Sequence, residues 1–173
     1  MASESNVDRV VLLPVDGSAH CERAFKWYIK RIMKPGDKLV LLHIVQPHYI
    51  TPPGGFAMDQ AAVDISSNVN EGIAAGKKIL ERYSQMCKAA HCPHVISLHI
   101  DSSVGNTVIK VAEEHKASLI VIASRGIGKA RRTILGGVSH YVILHSGVPV
   151  LVVPAAKRSS ASFVSEVESL ENE

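Results

Sequence analysis

LIVIASRGIGKARRTILGGVS, residues 119–139, is the stretch whose reading decides the fold. It opens on an unbroken apolar run, Leu119, Ile120, Val121 and Ile122, that ends at Ala123, and β-branched residues in such a run make a strand buried on both faces. A loop carrying Gly126 and Gly128 follows, and Gly136, Gly137, Val138 and Ser139 then open an amphipathic helix. Glycines let backbone N–H groups approach an anion with no Cβ in the way, and a helix N-terminus presents unpaired N–H groups with a partial positive charge. Lys129, Arg131 and Arg132 lie between the two glycine clusters and add charge of the same sign. Strand, glycine loop and helix in this order predict a phosphate site.

The same alternation runs outward in both directions. Towards the N-terminus, Val10 to Leu13 reads as a buried strand limited by Pro14. Asp16, Gly17 and Ser18 form a turn, and Ser18 is the expected N-cap of a helix to about Met33, with Ala24, Trp27, Tyr28 and Ile32 at helical spacing. Lys34, Pro35 and Gly36 stop it, and Leu39 to Val45 repeats the strand pattern. Gln46 to Gly55, QPHYITPPGG, is a loop. From about Met58 to Lys88, Ala62, Ile65, Val69, Ile73, Leu80, Tyr83 and Met86 recur as the stripe of one long helix, locally weakened by Gly72 and Gly76. His94 to Ile100 is a third strand, and Asn106 is expected to cap a helix from Thr107 to about Lys116. Beyond the central stretch, Val138, Tyr141, Val142 and Leu144 give a short helix closed by Gly147, and Val148 to Val153 a fifth strand ended by Pro154. Five buried strands separated by helices define a three-layer α/β/α sandwich on a parallel sheet.

Composition agrees with one such domain. The 173 residues are 46% hydrophobic, enough for a sizeable core, and no second domain is indicated. Residues 1–8 are expected to be a flexible N-terminus, 9–155 the α/β domain, and the Ser/Glu-rich 156–173 a disordered tail. A net charge of +3, with no dense basic block outside Lys129 to Arg132, argues against an extended nucleic-acid footprint. No apolar run approaches the ~20 residues that span a bilayer, so no membrane insertion is expected. Cys21, Cys87 and Cys92 form no even framework, and MASESNVDR lacks the apolar core of a signal peptide, so a cytoplasmic protein is expected.

In such a sheet ligands bind beyond the carboxyl ends of the strands, where strand order reverses. The residues after strand one (Val15, Asp16), strand two (His43, Ile44) and strand four (Ala123 to Gly126) converge on one edge. Asp16 is the candidate for ribose, because a carboxylate accepts from hydroxyls but is repelled by phosphates. Alone, Asp16-Gly17-Ser18 reads as a turn plus cap with no ligand; the glycine loop tips it towards a nucleotide.

VVLLPVDGS, LLHIV, IASRG, TILGGVS and PVLVVP, in that order and spacing, resemble the universal stress protein family across nearly all of Arg9 to Pro154. ATP-binding members carry G-x2-G-x9-G-[ST]; this chain has Ala123, Gly126, Gly136 and Gly137 at those positions, a departure at the first and last. Gly137 keeps the backbone N–H that does most phosphate binding at a helix start, and Ser139 offers a hydroxyl two residues on. The resemblance implies a Rossmann-like sheet in the order 3-2-1-4-5. It also implies adenine and ribose contacts from Pro14, Val15, Asp16 and Ile44, with Ile122 and Ala123 lining the nucleotide. Phosphate contacts fall on Gly126, Gly136, Gly137, Val138 and Ser139. The implied ligand is ATP or AMP/ADP, with a divalent cation able to accompany it. The implied partner is a second copy paired along Val148 to Val153, beside a protein partner that sequence does not name.

Other chemistries fit less well. GGVSHY puts Tyr141 where a nucleophile elbow needs glycine, and Gly126-Ile-Gly128 reaches Arg131 where a dinucleotide fingerprint needs Gly or Ala. Cys87, His91, Cys92 and His94 include no C-x2-C pair, so a metal is not expected. With no Walker lysine and no evident general base, any ATP hydrolysis is expected to be slow. A nucleotide-dependent regulatory or stress-response protein is the leading expectation. A slow ATP-hydrolysing enzyme and a dimeric interaction module with a vestigial pocket are the alternatives.

Overall fold

The structure, a computed structural model, describes residues 9–47, 58–124 and 136–155, without the side chains of 58–67. In chain order the elements are β1 (Arg9–Pro14), α1 (Ala19–Arg31), β2 (Asp37–Val45), α2 (Met58–Ala89), β3 (His94–Ile100), α3 (Val104–Glu114), β4 (Leu119–Ala123), α4 (Gly137–His145) and β5 (Val150–Val153). The strands form one parallel sheet in the order β3-β2-β1-β4-β5, with Leu12 of β1 opposite Val40 of β2 and Ile120 of β4. This is the Rossmann-like three-layer arrangement that the alternation and the resemblance predict.

Because side chains alternate along a strand, each central strand feeds two cores. Val11, Leu13, Leu39, Leu41 and Val121 pack under α1 and α2 against Phe25, Tyr28, Leu80 and Tyr83. Leu12, Val40, Leu42, Ile120 and Ile122 pack under α3 and α4 against Val108, Val111 and Val142. Each such side chain contributes about 1.5–3 kcal/mol of burial, which is why the continuous apolar runs become the sheet's centre.

Among the described residues one carboxylate is buried in this interior. β2 begins two residues before the expected Leu39 because Asp37, 3% exposed, belongs to the strand and is fully engaged. Its carboxylate accepts from Arg9 Nε at 2.8 Å and Nη2 at 2.6 Å, from the Tyr28 hydroxyl at 2.5 Å and from the Lys34 N–H at 3.0 Å. Burial alone would raise the Asp37 pKa; the Arg9, Tyr28 and Lys34 donors overcome it and hold the group below its ordinary value.

Several local expectations are corrected. Helix α3 starts at Val104 with Ser103 at the N-cap, so Asn106 lies inside it. Asp101 explains the early start: its carboxylate accepts from the Ser103 N–H at 2.7 Å and the Thr107 hydroxyl at 2.8 Å, bracing the first turn from outside. Helix α2 is the one long helix expected, continuous through Gly72 and Gly76. A Cβ at Gly72 would sit 2.5 Å from Val45 Cγ1, and one at Gly76 2.5 Å from His43 Cδ2, so both glycines let α2 lie close on β2. Helix α4 buries only Ser139 and Val142, and Val138, Tyr141, Ile143 and Leu144 are exposed, so it is apolar all round rather than amphipathic. Ser146, not Gly147, is its C-cap; the Ser146 hydroxyl donates to the Val148 carbonyl and accepts from the Val148 N–H, which holds Val148 in a turn and delays β5 to Val150.

Candidate functional site

All five strands are parallel, so their carboxyl ends share one edge, and chain order reverses between β1 and β4. Chain from β1 leaves this edge through Val15, whose N–H donates to the Leu42 carbonyl at 2.7 Å and whose carbonyl accepts from His43 Nδ1–H at 2.7 Å. With its side chain in the first core, Val15 is held on three sides and contributes position. Asp16 follows, half-buried. Its Oδ1 accepts from the Ser18 N–H at 2.9 Å, and Ser18 Oγ accepts from the Cys21 N–H at 3.3 Å, so one turn passes directly into the cap of α1. Burial first, and the Asp16 carboxylate second, push the Cys21 thiol up to about 11, so Cys21 stays a neutral thiol beside Asp16 at physiological pH.

Across the crevice β4 delivers Ile122, buried in the second core, and Ala123, half-buried at the rim. Ile44 approaches from β2 and packs against the same core. Gly126, Lys129, Arg131 and Arg132 lie outside the described residues, as do residues 1–8, 48–57 and the 156–173 tail. The stripe residues Ala62 and Ile65 fall among the side chains outside the description.

Helix α4 runs back between parallel strands β4 and β5, so its N-terminus lies at the carboxyl edge of the sheet. Among the described residues no side chain caps it. The Ser139 hydroxyl, expected to face phosphate, instead donates to the Gly136 carbonyl at 2.9 Å, and Ser139 is buried. Gly136 has φ −59°, accessible to any residue, and a Cβ there would make only an ordinary 3.7 Å contact with Ser139 Oγ. At Gly137 a Cβ would meet nothing within 4 Å among the described residues. Among the described residues no neighbouring side chain requires either glycine, and none fills the space in front of the first N–H groups of α4.

Sequence placed His43 at this edge without its role. Gly76 makes room for the ring and Val15 accepts its proton, an arrangement between three elements that no local pattern announces. Of the Cys and His residues from Cys87 to His94, His94 spends its ring on the Ser84 hydroxyl at 2.7 Å and the Cys92 carbonyl at 3.0 Å. Among the described residues no group of three or more His, Cys, Asp or Glu is placed to hold a metal ion.

A sheet in this order, with an open helix N-terminus and a carboxylate turn at its switch point, defines a Rossmann-like α/β protein. The Universal stress protein family model matches residues 9–154, and the chain belongs to that family. It is 27% identical over 160 residues to universal stress protein PHOS34 of Arabidopsis thaliana, covering 84% of this chain and 61% of that protein. A universal stress protein of Mycolicibacterium smegmatis is 24% identical over 87% of this chain and 49% of its own length. The chain thus spans 49–61% of the length of these relatives. A family protein from Arabidopsis thaliana, solved with AMP bound, superposes with a TM-score of 0.62 at 19% identity over 86% of this chain and 93% of that one. A universal stress protein in complex with cAMP gives 0.54 at 20% identity over 86% and 98%. At these identities the likeness establishes the fold.

Proposed function

We propose that the chain binds an adenine nucleotide, AMP, ADP or ATP, across the β1/β4 switch point and acts as a nucleotide-dependent stress-response switch. The observation that carries this reading is the pair Gly136 and Gly137: glycines that packing among the described residues does not need, at a helix start that no described side chain caps. Asp16 stands at the opposite side of the crevice as the ribose acceptor, with Pro14, Ile44 and Ala123 at the rim and Val15 and Ile122 supporting it from the cores. The AMP and cAMP complexes of the related structures support the choice of nucleotide. A divalent cation would travel with the phosphates of ADP or ATP. Calorimetric titration with AMP, ADP, ATP and adenosine tests the reading; saturable binding of the phosphorylated forms is expected, and no binding of any of the four refutes it.

A homodimer belongs to the same proposal. β5 ends the sheet with its outer edge unpaired among the described residues, and Val138, Tyr141, Ile143 and Leu144 of the adjoining α4 are exposed. Pairing two copies along β5 would satisfy that edge and cover apolar side chains beside it. No described helix is long and apolar enough to cross a membrane, which suits the cytoplasmic location proposed for such a switch. A dimeric interaction module with a vestigial pocket is the second reading, favoured by the inward turn of the Ser139 hydroxyl.

A further inference from the structure

Helix α2 ends in a cap built from six residues. His91, with φ 52°, takes the left-handed conformation usual for glycine. The Cys92 N–H donates to the Cys87 carbonyl at 2.9 Å and the His91 N–H to the Lys88 carbonyl at 3.0 Å, the paired bonds of a Schellman motif. That motif brings the side chains of its first and last residues together, normally as an apolar contact, and here both are cysteines. Cys87 and Cys92 are free and buried in the same core cluster. The backbone bond between them also limits their Cα separation: Cα to O, O to N and N to Cα sum to at most about 6.7 Å, inside the ~4.4–6.8 Å that a disulfide spans.

We propose that Cys87 and Cys92 form a redox-active dithiol, oxidised to an intramolecular disulfide by peroxide and restored by a thiol reductant. The Cys92 thiolate attacks the peroxide O–O bond, giving a sulfenic acid and, with one proton, water. Cys87 sulfur then attacks the Cys92 sulfur, the S–O bond breaks, and the leaving hydroxide takes the Cys87 proton as a second water. Two thiols lose two electrons and two protons in all, and one hydrogen peroxide becomes two waters. The order of attack follows from position: Cys92 lies between exposed His91 and Pro93, whereas Cys87 is fully buried on the helix beneath it, so peroxide entering from solvent meets Cys92 first.

Burial makes the reaction depend on opening of the cap. Cys92 is flanked by exposed His91 and Pro93, so it lies one layer beneath the surface. A non-glycine residue in the left-handed region costs about 1–2 kcal/mol, so this last turn is a favourable place to open.

The test uses the full chain, hydrogen peroxide, an alkylating quench under denaturing conditions, and intact-mass and tryptic-peptide analysis. Two of the three thiols should be lost together with the mass of two hydrogens, leaving Cys21 alkylated. Trypsin cuts after Lys88, so the bridge would appear as two linked peptides that dithiothreitol separates. Cys87→Ser should leave Cys92 as a sulfenic acid trapped by dimedone, whereas Cys92→Ser should keep both remaining thiols free. Three alkylatable thiols at temperatures up to the onset of unfolding, a bridge to Cys21, or over-oxidation of Cys92 without a bridge would each overturn the assignment.

Discussion

Gly76→Ala puts one methyl group into the contact that aims the β1 exit. In an open helix interior the change would stabilise by about 1 kcal/mol, because alanine is the better helix former. Here the new Cβ would lie 2.5 Å from His43 Cδ2, 3.1 Å from His43 Nε2 and 2.9 Å from Leu98 Cδ1. Leu98 has a flexible end, but the His43 ring is tied to the Val15 carbonyl at 2.7 Å and must break that bond to retreat. Overpacking costs about 1–3 kcal/mol, so after the helix gain a net loss of about 0–2 kcal/mol is expected. Urea unfolding of Gly76→Ala, His43→Ala and the double variant measures it. Without the ring the methyl has room, so in the His43→Ala background Gly76→Ala should turn stabilising. Nucleotide affinity should fall in the single Gly76→Ala variant because Val15 and Asp16 lose their support. Stabilisation by about 1 kcal/mol in the wild-type background, with no coupling to His43, would refute the reasoning.

Asp37→Ala leaves the Tyr28 hydroxyl and Arg9 without their acceptor, and a loss of about 2–4 kcal/mol is expected by thermal or urea unfolding, reduced from a fully buried pair because Arg9 is partly exposed. The folded Asp37 carboxyl is depressed below its unfolded value of about 3.9, so its stabilisation is present above pH ~4 and lost as pH falls through the folded value; Asp37→Asn should flatten that acid limb. Asp16→Ala should weaken nucleotide binding by about 1.5–3 kcal/mol in calorimetry with the fold retained, and unchanged affinity would return Asp16 to a turn-forming role. Sedimentation at micromolar concentration should give twice the chain mass, and Leu144→Asp on the exposed face of α4 should shift it towards monomer with little change in Tm.

The elements read most sharply from sequence are those whose signal is local. β4 begins and ends where its apolar run does, because the sheet interior rewards those residues directly, and the edge strand β3 keeps its expected bounds with none of its residues fully buried. Asn106 was a plausible cap by type, but the start of α3 is set by Asp101, two residues ahead of the true N-cap Ser103. Asp37 fell outside the strand expected from Leu39 because its partners, Arg9 and Tyr28, come from other elements. The site divides in the same way. The Asp16-Gly17-Ser18 turn into α1 and the glycine start of α4 were legible from residue type and spacing, whereas Gly76 under His43 depends on α2 crossing β2 and has no local signature. Ser139 was expected to face a phosphate and instead bonds its own helix start, a choice set by hydroxyl geometry.

The central claim is that the uncapped start of α4 receives phosphate in space left open by two glycines. Gly136→Val places a branched side chain in that space, and the ordinary φ of Gly136 together with its loose 3.7 Å surroundings predicts only a small change in stability. Calorimetric titration of this variant and of wild type, with ATP and with adenosine at one fixed salt concentration, separates the phosphates from the nucleoside. The account predicts that ATP loses at least about tenfold in affinity, or about 1.4 kcal/mol, while adenosine changes little. Equal losses for the two ligands would contradict it.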